Sequence, residues 1–277
     1  MSCPTTKALG LSPIKIVRST LADPRRVPFD APWAWLAAGW RDMWTIPALS
    51  LGYGATFAAC AVLLAFGLWS QGWHALIPAL AGGFLLVGPL FGVGLYEASR
   101  RIGRGATVSA ADMILAGNGA RGQLAFFGAT LMFAYLVWLQ LAFLLLMLFL
   151  DTSGLPPATE FIPTLLFTSR GLGLLIAGSI GGGLIATVVF AISFVAVPIL
   201  MTEQTDAVSA ARASVRAVAI NGKAAMLWAG LITVIMAAGF ASLFVGLAIA
   251  FPLIGHATWH AYSDIYGRGG NGSVATN

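Results

Sequence analysis

The chain has few charged residues, and none of them lies inside its long hydrophobic runs. Charged side chains make up 9% of the 277 residues, against about 25% in an average soluble protein, and hydrophobic residues make up 58%. This composition excludes a water-soluble core with a polar skin, because there is too little charge to cover one. It also removes the ionisable groups that ion-coupled transporters use at mid-membrane depth.

Catalytic and nucleotide-binding motifs are also missing from the sequence. It contains no Walker motif, no dinucleotide-binding glycine fingerprint and no Cys-x-x-Cys-His haem attachment site. Cys3 and Cys60 fall in a polar segment and an apolar run, so we expect no structural disulfide. The basic residues are spread among the ends of the runs, so the net charge of +5 forms no nucleic-acid-binding patch. These absences favour a protein without catalytic activity, although the interfacial Glu97 and Asp264 leave an enzyme open.

What the sequence does contain is five hydrophobic runs, each able to cross the roughly 30 Å hydrocarbon core of a bilayer. They are Ile46–Trp69, Trp73–Tyr96, Leu124–Leu150, Gly171–Met201 and Ala224–Tyr262. The last run has 39 residues, and two interpretations of it are open. It forms either two helices joined by a tight turn at Gly239–Ser242 or one helix kinked at Pro252. We prefer two helices, because a single one would overshoot the bilayer.

The fold class that we predict is all-α: a polytopic membrane protein with six transmembrane helices as three hairpins, accompanied by interfacial amphipathic helices. In this topology every lysine and arginine except Arg170 lies on one side, which the positive-inside rule identifies as the cytoplasm. We therefore expect a multi-pass protein of the bacterial inner membrane with a cytoplasmic N-terminus. Its parts would be a cytoplasmic N-terminal tail at 1–29, a single transmembrane domain at 30–266 and a disordered C-terminal tail at 267–277.

Three segments that precede crossings have the pattern of interfacial helices. Trp33, Trp40 and Trp44 recur at helical spacing, which suits the headgroup layer. The segment Ser109–Asp112 resembles a capping box, and Val208–Val218 carries an apolar stripe opposite its arginines. Each segment precedes an odd-numbered crossing, which predicts a threefold repeat of one interfacial helix and one hairpin.

Glycines inside the hydrophobic runs predict close contact between helices. Gly88 and Gly92 stand four residues apart, and so do Gly178 and Gly182. Small residues at this spacing let two backbones approach each other in a membrane. Packing is the interpretation that we prefer, and a path for a small solute is the alternative. We expect lipid around the bundle, and a membrane-protein partner or a second copy of the chain against these glycine-rich faces.

The sharpest local feature is the string Gly255–Tyr262, in which His256 and His260 stand four residues apart. On a helix both imidazoles project from one face, a spacing able to share a metal or to place one histidine on a haem iron. The alternative is an aromatic belt at the interface that includes Trp259. The remaining histidine, His74, is expected near the opposite membrane face, so one chain does not supply a bis-histidine haem site.

Several short segments of the sequence together resemble a known protein family. The segments Gly39–Asp42, Gly88–Tyr96 and Gly255–Tyr262 resemble an uncharacterised family of bacterial integral membrane proteins, over about residues 30–266. Members of that family often carry the label cytochrome c oxidase subunit I. Three histidines are too few for a catalytic subunit that ligates haems and copper. The resemblance therefore implies, at most, an association with respiratory complexes.

We predict a non-catalytic accessory or assembly protein, because the spans lack an ionisable site and offer many small-residue faces. Two alternatives stay open. One is a haem- or metal-handling protein that uses His256 and His260, and the other is a carrier for a small solute.

Overall fold

A computed structural model describes residues 22–149 and 157–267, and all regular structure in these residues is helical. The helices are α1 Ala31–Thr45, α2 Pro47–Ser70, α3 Ile77–Phe91, α4 Val93–Ile102, α5 Ala110–Ile114, α6 Arg121–Phe149, α7 Ala158–Phe167, α8 Ser169–Ser193, α9 Ala196–Thr202, α10 Ala207–Ile220, α11 Gly222–Ala241 and α12 Leu247–Ile265. Short 3₁₀ turns at His74–Leu76 and Asn118–Ala120 precede α3 and α6. The predicted all-α class is confirmed.

Within the described residues, five helical stretches are long and apolar enough to cross a membrane. They are Pro47–Ser70, His74–Phe91, Ala110–Phe149, Ser169–Thr202 and Gly222–Ala241. Only 11% of the apolar window in the first stretch is buried by the rest of the chain. Its side chains Leu63 and Phe66 are each 70% exposed. Apolar surface of this extent requires lipid around it.

The last hydrophobic run forms two helices, α11 and α12, that pack against each other. The turn between them occupies residues 242–246, just beyond the predicted turn at Gly239–Ser242. Leu243 and Phe244 adopt φ angles of 54° and 67° there. Pro252 lies inside α12 without ending it. Because α12 carries several polar residues, it is not among the five apolar stretches, and the predicted count of six crossings is not confirmed.

The helices do not pack as a simple row of consecutive hairpins. α2 packs chiefly against α12, whereas α3 packs chiefly against α6, which also contacts α8. α12 contacts α1, α2, α4 and α11 and is therefore central in the bundle. The predicted arrangement of three hairpins is not confirmed, because α2 and α3 take their main partners from elsewhere in the chain.

Glycines allow the close approach of α1 and α2 to α12. A Cβ placed on Gly39 of α1 would lie 2.6 Å from the backbone nitrogen of Ala257. A Cβ placed on Gly54 of α2 would overlap the carbonyl oxygen of Ala248 and the ring of Pro252. Real Cβ atoms do not approach backbone atoms so closely, so only glycine fits at these two positions.

The segments predicted to be interfacial all form helices. The capping box at Ser109 and Asp112 is present, although α5 that follows it has only five residues. α1 packs along α12 instead of standing apart from the bundle. α10 turns small residues inward and leaves Val208 and Val215 exposed by 49% and 42%. These exposed valines form the apolar outer face of α10.

Part of the segment assigned to the N-terminal tail is held against the bundle. The backbone nitrogen of Arg25 donates to the carbonyl oxygen of Ile265 at 2.8 Å. The side chain of Asn221 accepts from Val27 N at 2.9 Å and donates to Arg25 O at 2.9 Å. Residues 1–21 of the predicted N-terminal tail and 268–277 of the predicted C-terminal tail lie outside the described residues.

Candidate functional site

The string Gly255–Tyr262 is buried along almost its whole length in α12. His256 is fully buried, and Trp259 is 7% exposed. Gly255 meets α4, where a Cβ on it would lie 2.5 Å from the Leu95 side chain. The string therefore contacts neighbouring helices and does not form an exposed aromatic belt.

A chain of buried hydrogen bonds surrounds the His256 imidazole. The Ser99 hydroxyl donates to Asp42 Oδ2 at 2.6 Å. It has no second proton, so its oxygen accepts from His256 Nδ1, 2.8 Å away. The other ring nitrogen, Nε2, then accepts from the Ser50 hydroxyl at 2.9 Å. The geometry thus selects the neutral Nδ1–H tautomer and links α1, α2, α4 and α12 in one chain. We call these four residues the polar network.

His260 joins the polar network at its carboxylate end. Its Nε2 lies 2.8 Å from Asp42 Oδ2, the oxygen that also accepts from Ser99. The His260 side chain is 30% exposed and the Asp42 side chain 11% exposed. Asp264, one turn further along α12, accepts from the Trp35 indole at 2.9 Å. The two predicted histidines are thus connected through Asp42 and Ser99.

The interfacial acidic residues Glu97 and Asp264 have partners of their own. Glu97 accepts from Arg100 Nε at 2.7 Å and from Arg101 Nε at 2.9 Å. Burial raises the pKa of Glu97, but the hydrogen bonds and charges of the two arginines together lower it by more than burial raises it. The pKa of Glu97 therefore lies below its ordinary value. No group of three or more His, Cys, Asp or Glu side chains that could hold a metal occurs in the described part of the chain.

A cavity of about 580 Å³ lies between α3, α8, α11 and α12, on the side of α12 away from the polar network. We call it the large cavity. Its lining includes Phe84, Gly88, Gly183, Phe190, Met236 and Phe251, and the described residues that line it include no Asp, Glu, Lys, Arg or His. A smaller cavity of about 390 Å³ lies between α2 and α3 and is lined mostly by aliphatic and phenylalanine side chains.

Three polar side chains without hydrogen-bond partners line the large cavity. Tyr96 and Ser193 are each 3% exposed, and neither hydroxyl makes a hydrogen bond to another described residue. Trp228 is fully buried, and its indole N–H is likewise unpaired among the described residues. Most buried polar groups in proteins are hydrogen-bonded, so the buried Trp228 N–H needs an explanation, and the Tyr96 and Ser193 hydroxyls are further unpaired donors at the same cavity.

The glycines predicted to pack helices divide between two roles. A Cβ on Gly182 would lie 2.6 Å from the Trp138 ring of α6, and one on Gly178 would lie 4.0 Å from Leu145. Gly92 abuts the Tyr96 hydroxyl, and both it and Gly88 line the large cavity. A Cβ on Gly88 would meet nothing within 4 Å. The α8 pair therefore contacts α6, whereas Gly88 borders open space and Gly92 abuts the Tyr96 side chain.

Residues 76–202 match the model of a family described as predicted integral membrane protein (DUF2189). The resemblance to an uncharacterised family of membrane proteins is confirmed. The matched residues run from the start of α3 to the end of α9 and so include Gly88, Tyr96, Ser99 and Ser193. No curated protein and no solved structure matches the chain. The protein is therefore an integral membrane protein.

Sequence reasoning missed most of the polar residues of both features. Asp42 stood in a segment that carries the family resemblance and Ser99 three residues beyond another, but nothing in their spacing pointed to His256. They are separated from it by 214 and 157 residues along the chain. A motif search of one sequence does not reveal such contacts, which depend on how α12 packs.

Proposed function

We propose that this protein is non-catalytic and binds an uncharged, lipid-soluble small molecule in the large cavity. Its volume of about 580 Å³ falls inside the range of roughly 300–1,000 Å³ typical of small-molecule sites. The observation that carries the proposal is the absence of charge from the cavity lining. An ionic ligand would lose its hydration there without gaining a counter-ion, whereas an apolar one gains contact surface.

Two glycines allow a direct test. Gly88 and Gly183 line the large cavity, and a Cβ on either would meet nothing within 4 Å. The variants Gly88→Leu and Gly183→Leu should therefore fill the cavity without displacing a neighbour. Replacing glycine within a helix also tends to stabilise the helix. Gly230→Leu is the matched control, because Gly230 is an exposed helical glycine with open space around it that does not line the cavity.

The measurement is mass spectrometry of small molecules that co-purify with the protein in mild detergent. We expect a bound molecule in the unchanged protein and in Gly230→Leu, and its loss in the two cavity variants. If the cavity variants retained the same molecules in the same amounts, the large cavity would not be the binding site and the proposal would fail.

The proposed setting is the bacterial inner membrane, with six crossings and the N-terminus in the cytoplasm. Support for α12 as the sixth crossing comes from its 19 residues, which span about 28 Å. Its polar side chains, apart from the exposed Asp264 near its end, are buried or half-buried against other helices, so they do not require lipid to solvate them. The clustering of basic residues at one set of loops supports the orientation. Modification of cysteines introduced near Arg104 by a membrane-impermeant reagent from the periplasm would contradict it.

Haem or metal handling through His256 and His260 is the less favoured proposal. Both ring nitrogens of His256 already take part in hydrogen bonds, to Ser50 and Ser99. Ligation would require breaking one of these bonds inside a buried site. We expect protein purified from haem-replete cells to show no Soret band and no stoichiometric metal. A Soret band that disappears in a His256→Ala, His260→Ala double variant would reverse this preference.

An accessory role with a membrane-protein partner, including a respiratory complex, is a second proposal. The observation that favours it is the aromatic outer face of α1, where Trp33, Trp40 and Trp44 are 57%, 46% and 49% exposed. Tryptophan is enriched both at protein interfaces and in the headgroup layer. Crosslinking in intact membranes should capture a larger complex that is lost in Trp40→Ala. A protein that crosslinks to nothing and migrates alone would remove the support.

A further inference from the structure

The large cavity has a polar end and an apolar end. Trp35 contacts both Phe194, at the end of α8, and Trp228, near the start of α11, and it also bonds Asp264 near the end of α12. These helix ends therefore lie together. Ser193 and Trp228 belong to this end of the cavity, and Tyr96 lies in α4, which contacts α9 just beyond Ser193.

The other end of the cavity is lined by apolar groups. Phe84 of α3, Gly183 of α8, Met236 of α11 and Phe251 of α12 all lie two to four turns from the polar end along their own helices. From Gly183 to Phe194 the α8 wall extends about 16 Å. The cavity thus has the proportions of an elongated apolar body with one polar tip.

The unpaired groups at the polar end are hydrogen-bond donors. The Trp228 indole can only donate, and the Tyr96 and Ser193 hydroxyls each have a proton that no other described residue accepts. Three other hydroxyls of the described lining behave differently: Thr187, Thr233 and Thr258 donate to carbonyl oxygens of their own helices, at 2.7, 2.8 and 2.8 Å. Only the donors at the polar end are available to a ligand.

We infer that the ligand is an uncharged amphiphile that presents a carbonyl-type oxygen to Tyr96 and Ser193 at the polar end of the large cavity. This inference rests on the proposed function, because it names the chemical class that the same cavity takes. Donors without a compensating charge favour a neutral acceptor over a carboxylate or a phosphate, which would stay unpaired in a dry site. An unsubstituted hydrocarbon would leave the three donors unsatisfied.

The experiment uses three photoreactive probes of equal chain length, each with a diazirine: a long-chain methyl ester, the corresponding alkane and the corresponding carboxylic acid. The full-length protein is reconstituted in lipid nanodiscs and irradiated, and labelled peptides from α3, α8, α11 and α12 are quantified. The readout is the ratio of labelling by the ester to labelling by the alkane. The two probes can partition differently into the lipid, but that difference is the same for the unchanged protein and its variants, so it cancels when their ratios are compared.

The informative variants remove one hydroxyl each. Tyr96→Phe and Ser193→Ala delete groups that bond no other described residue, so neither should impair folding. Each should lower the ester-to-alkane ratio about fivefold. Thr233→Val is the control, because its hydroxyl lines the same cavity but is bonded to Ala229 O. Its ratio should not change.

The outcomes separate the inference from the proposed function. Equal labelling by ester and alkane, an unchanged ratio in the Tyr96→Phe, Ser193→Ala double variant, or strongest labelling by the carboxylic acid would each overturn the inference. In all three cases Gly88→Leu would still abolish labelling if the cavity binds apolar molecules. Labelling by every probe that persists in Gly88→Leu would instead refute the proposed function itself.

Discussion

Removing the Ser99 hydroxyl is the most direct test of the polar network. Ser99 is 1% exposed and connects two partners, since it donates to Asp42 and accepts from His256. In Ser99→Ala the His256 ring loses the partner of Nδ1. Either tautomer then leaves one buried ring nitrogen without a hydrogen bond, because Ser50 can satisfy only the other.

The expected loss of stability in Ser99→Ala follows from the hydrogen bonds that the variant loses. A buried polar group left without a partner costs about 1–3 kcal/mol, and the loss of a hydrogen bond to a carboxylate adds to it. Asp42 keeps its bond from His260, which limits the second contribution. We therefore expect Ser99→Ala to lower the free energy of unfolding by about 2–4 kcal/mol.

Ser209→Ala is the matched control. Ser209 also donates to a carboxylate at 2.6 Å, that of Asp206, but this pair is exposed at the start of α10. In the variant, the Asp206 side chain still caps the helix by accepting from the backbone N–H of residue 209. Its stability should change by less than about 0.5 kcal/mol. Equilibrium unfolding of the detergent-solubilised protein in increasing SDS gives both values. Equal losses in the two variants would refute the hydrogen-bond chain described for His256.

Three further outcomes follow from the packing around α12. Gly39→Ala should lower the thermal midpoint of unfolding, because the added Cβ forces α1 away from Ala257. In the control Gly52→Ala the added Cβ meets open space, so the midpoint should rise slightly or stay unchanged. Equal shifts in the two variants would contradict this packing. Trp35→Phe should destabilise the protein by about 1 kcal/mol through loss of its hydrogen bond to a carboxylate, as measured by the same SDS titration. The ion pairs of Glu97 lower its pKa in the folded protein, so they should stabilise the fold at a pH above the unfolded pKa of Glu97. This stabilisation, measured as the difference between the unchanged protein and Glu97→Gln, should disappear as the pH falls through the folded pKa. A difference that persisted at low pH would contradict this role of Glu97.

Hydrophobic run length made the membrane-embedded, all-helical class predictable, because that signal is local in sequence. The capping box at Ser109 and Asp112 was predictable for the same reason. The central position of α12 was not predictable, because its 19 residues include two histidines and it is less apolar than the five long stretches. Its environment comes from α1, α2, α4 and α11, and none of those contacts is encoded by spacing along α12 itself.

The histidine pair shows why helical spacing alone is an incomplete guide to chemistry. A separation of four residues does place His256 and His260 on one face of a helix. What they do there depends on Asp42 and Ser99, which come from α1 and α4. Likewise, Tyr96 and Ser193 have no sequence signature, and only their shared unpaired state beside one cavity distinguishes them.

The polar network and the large cavity lie on opposite faces of α12. Ile254 and Thr258 line the cavity, while His256 and His260, two positions further on, are turned by about 200° toward α1, α2 and α4. The network therefore fixes the rotation of α12 that presents its cavity face to α3 and α8. A helix held on one side only by apolar contacts could slide or rotate at small cost, whereas directed hydrogen bonds to three other helices oppose both movements. The buried polar residues thus have a structural role in this fold: they orient one wall of the large cavity, which they do not line.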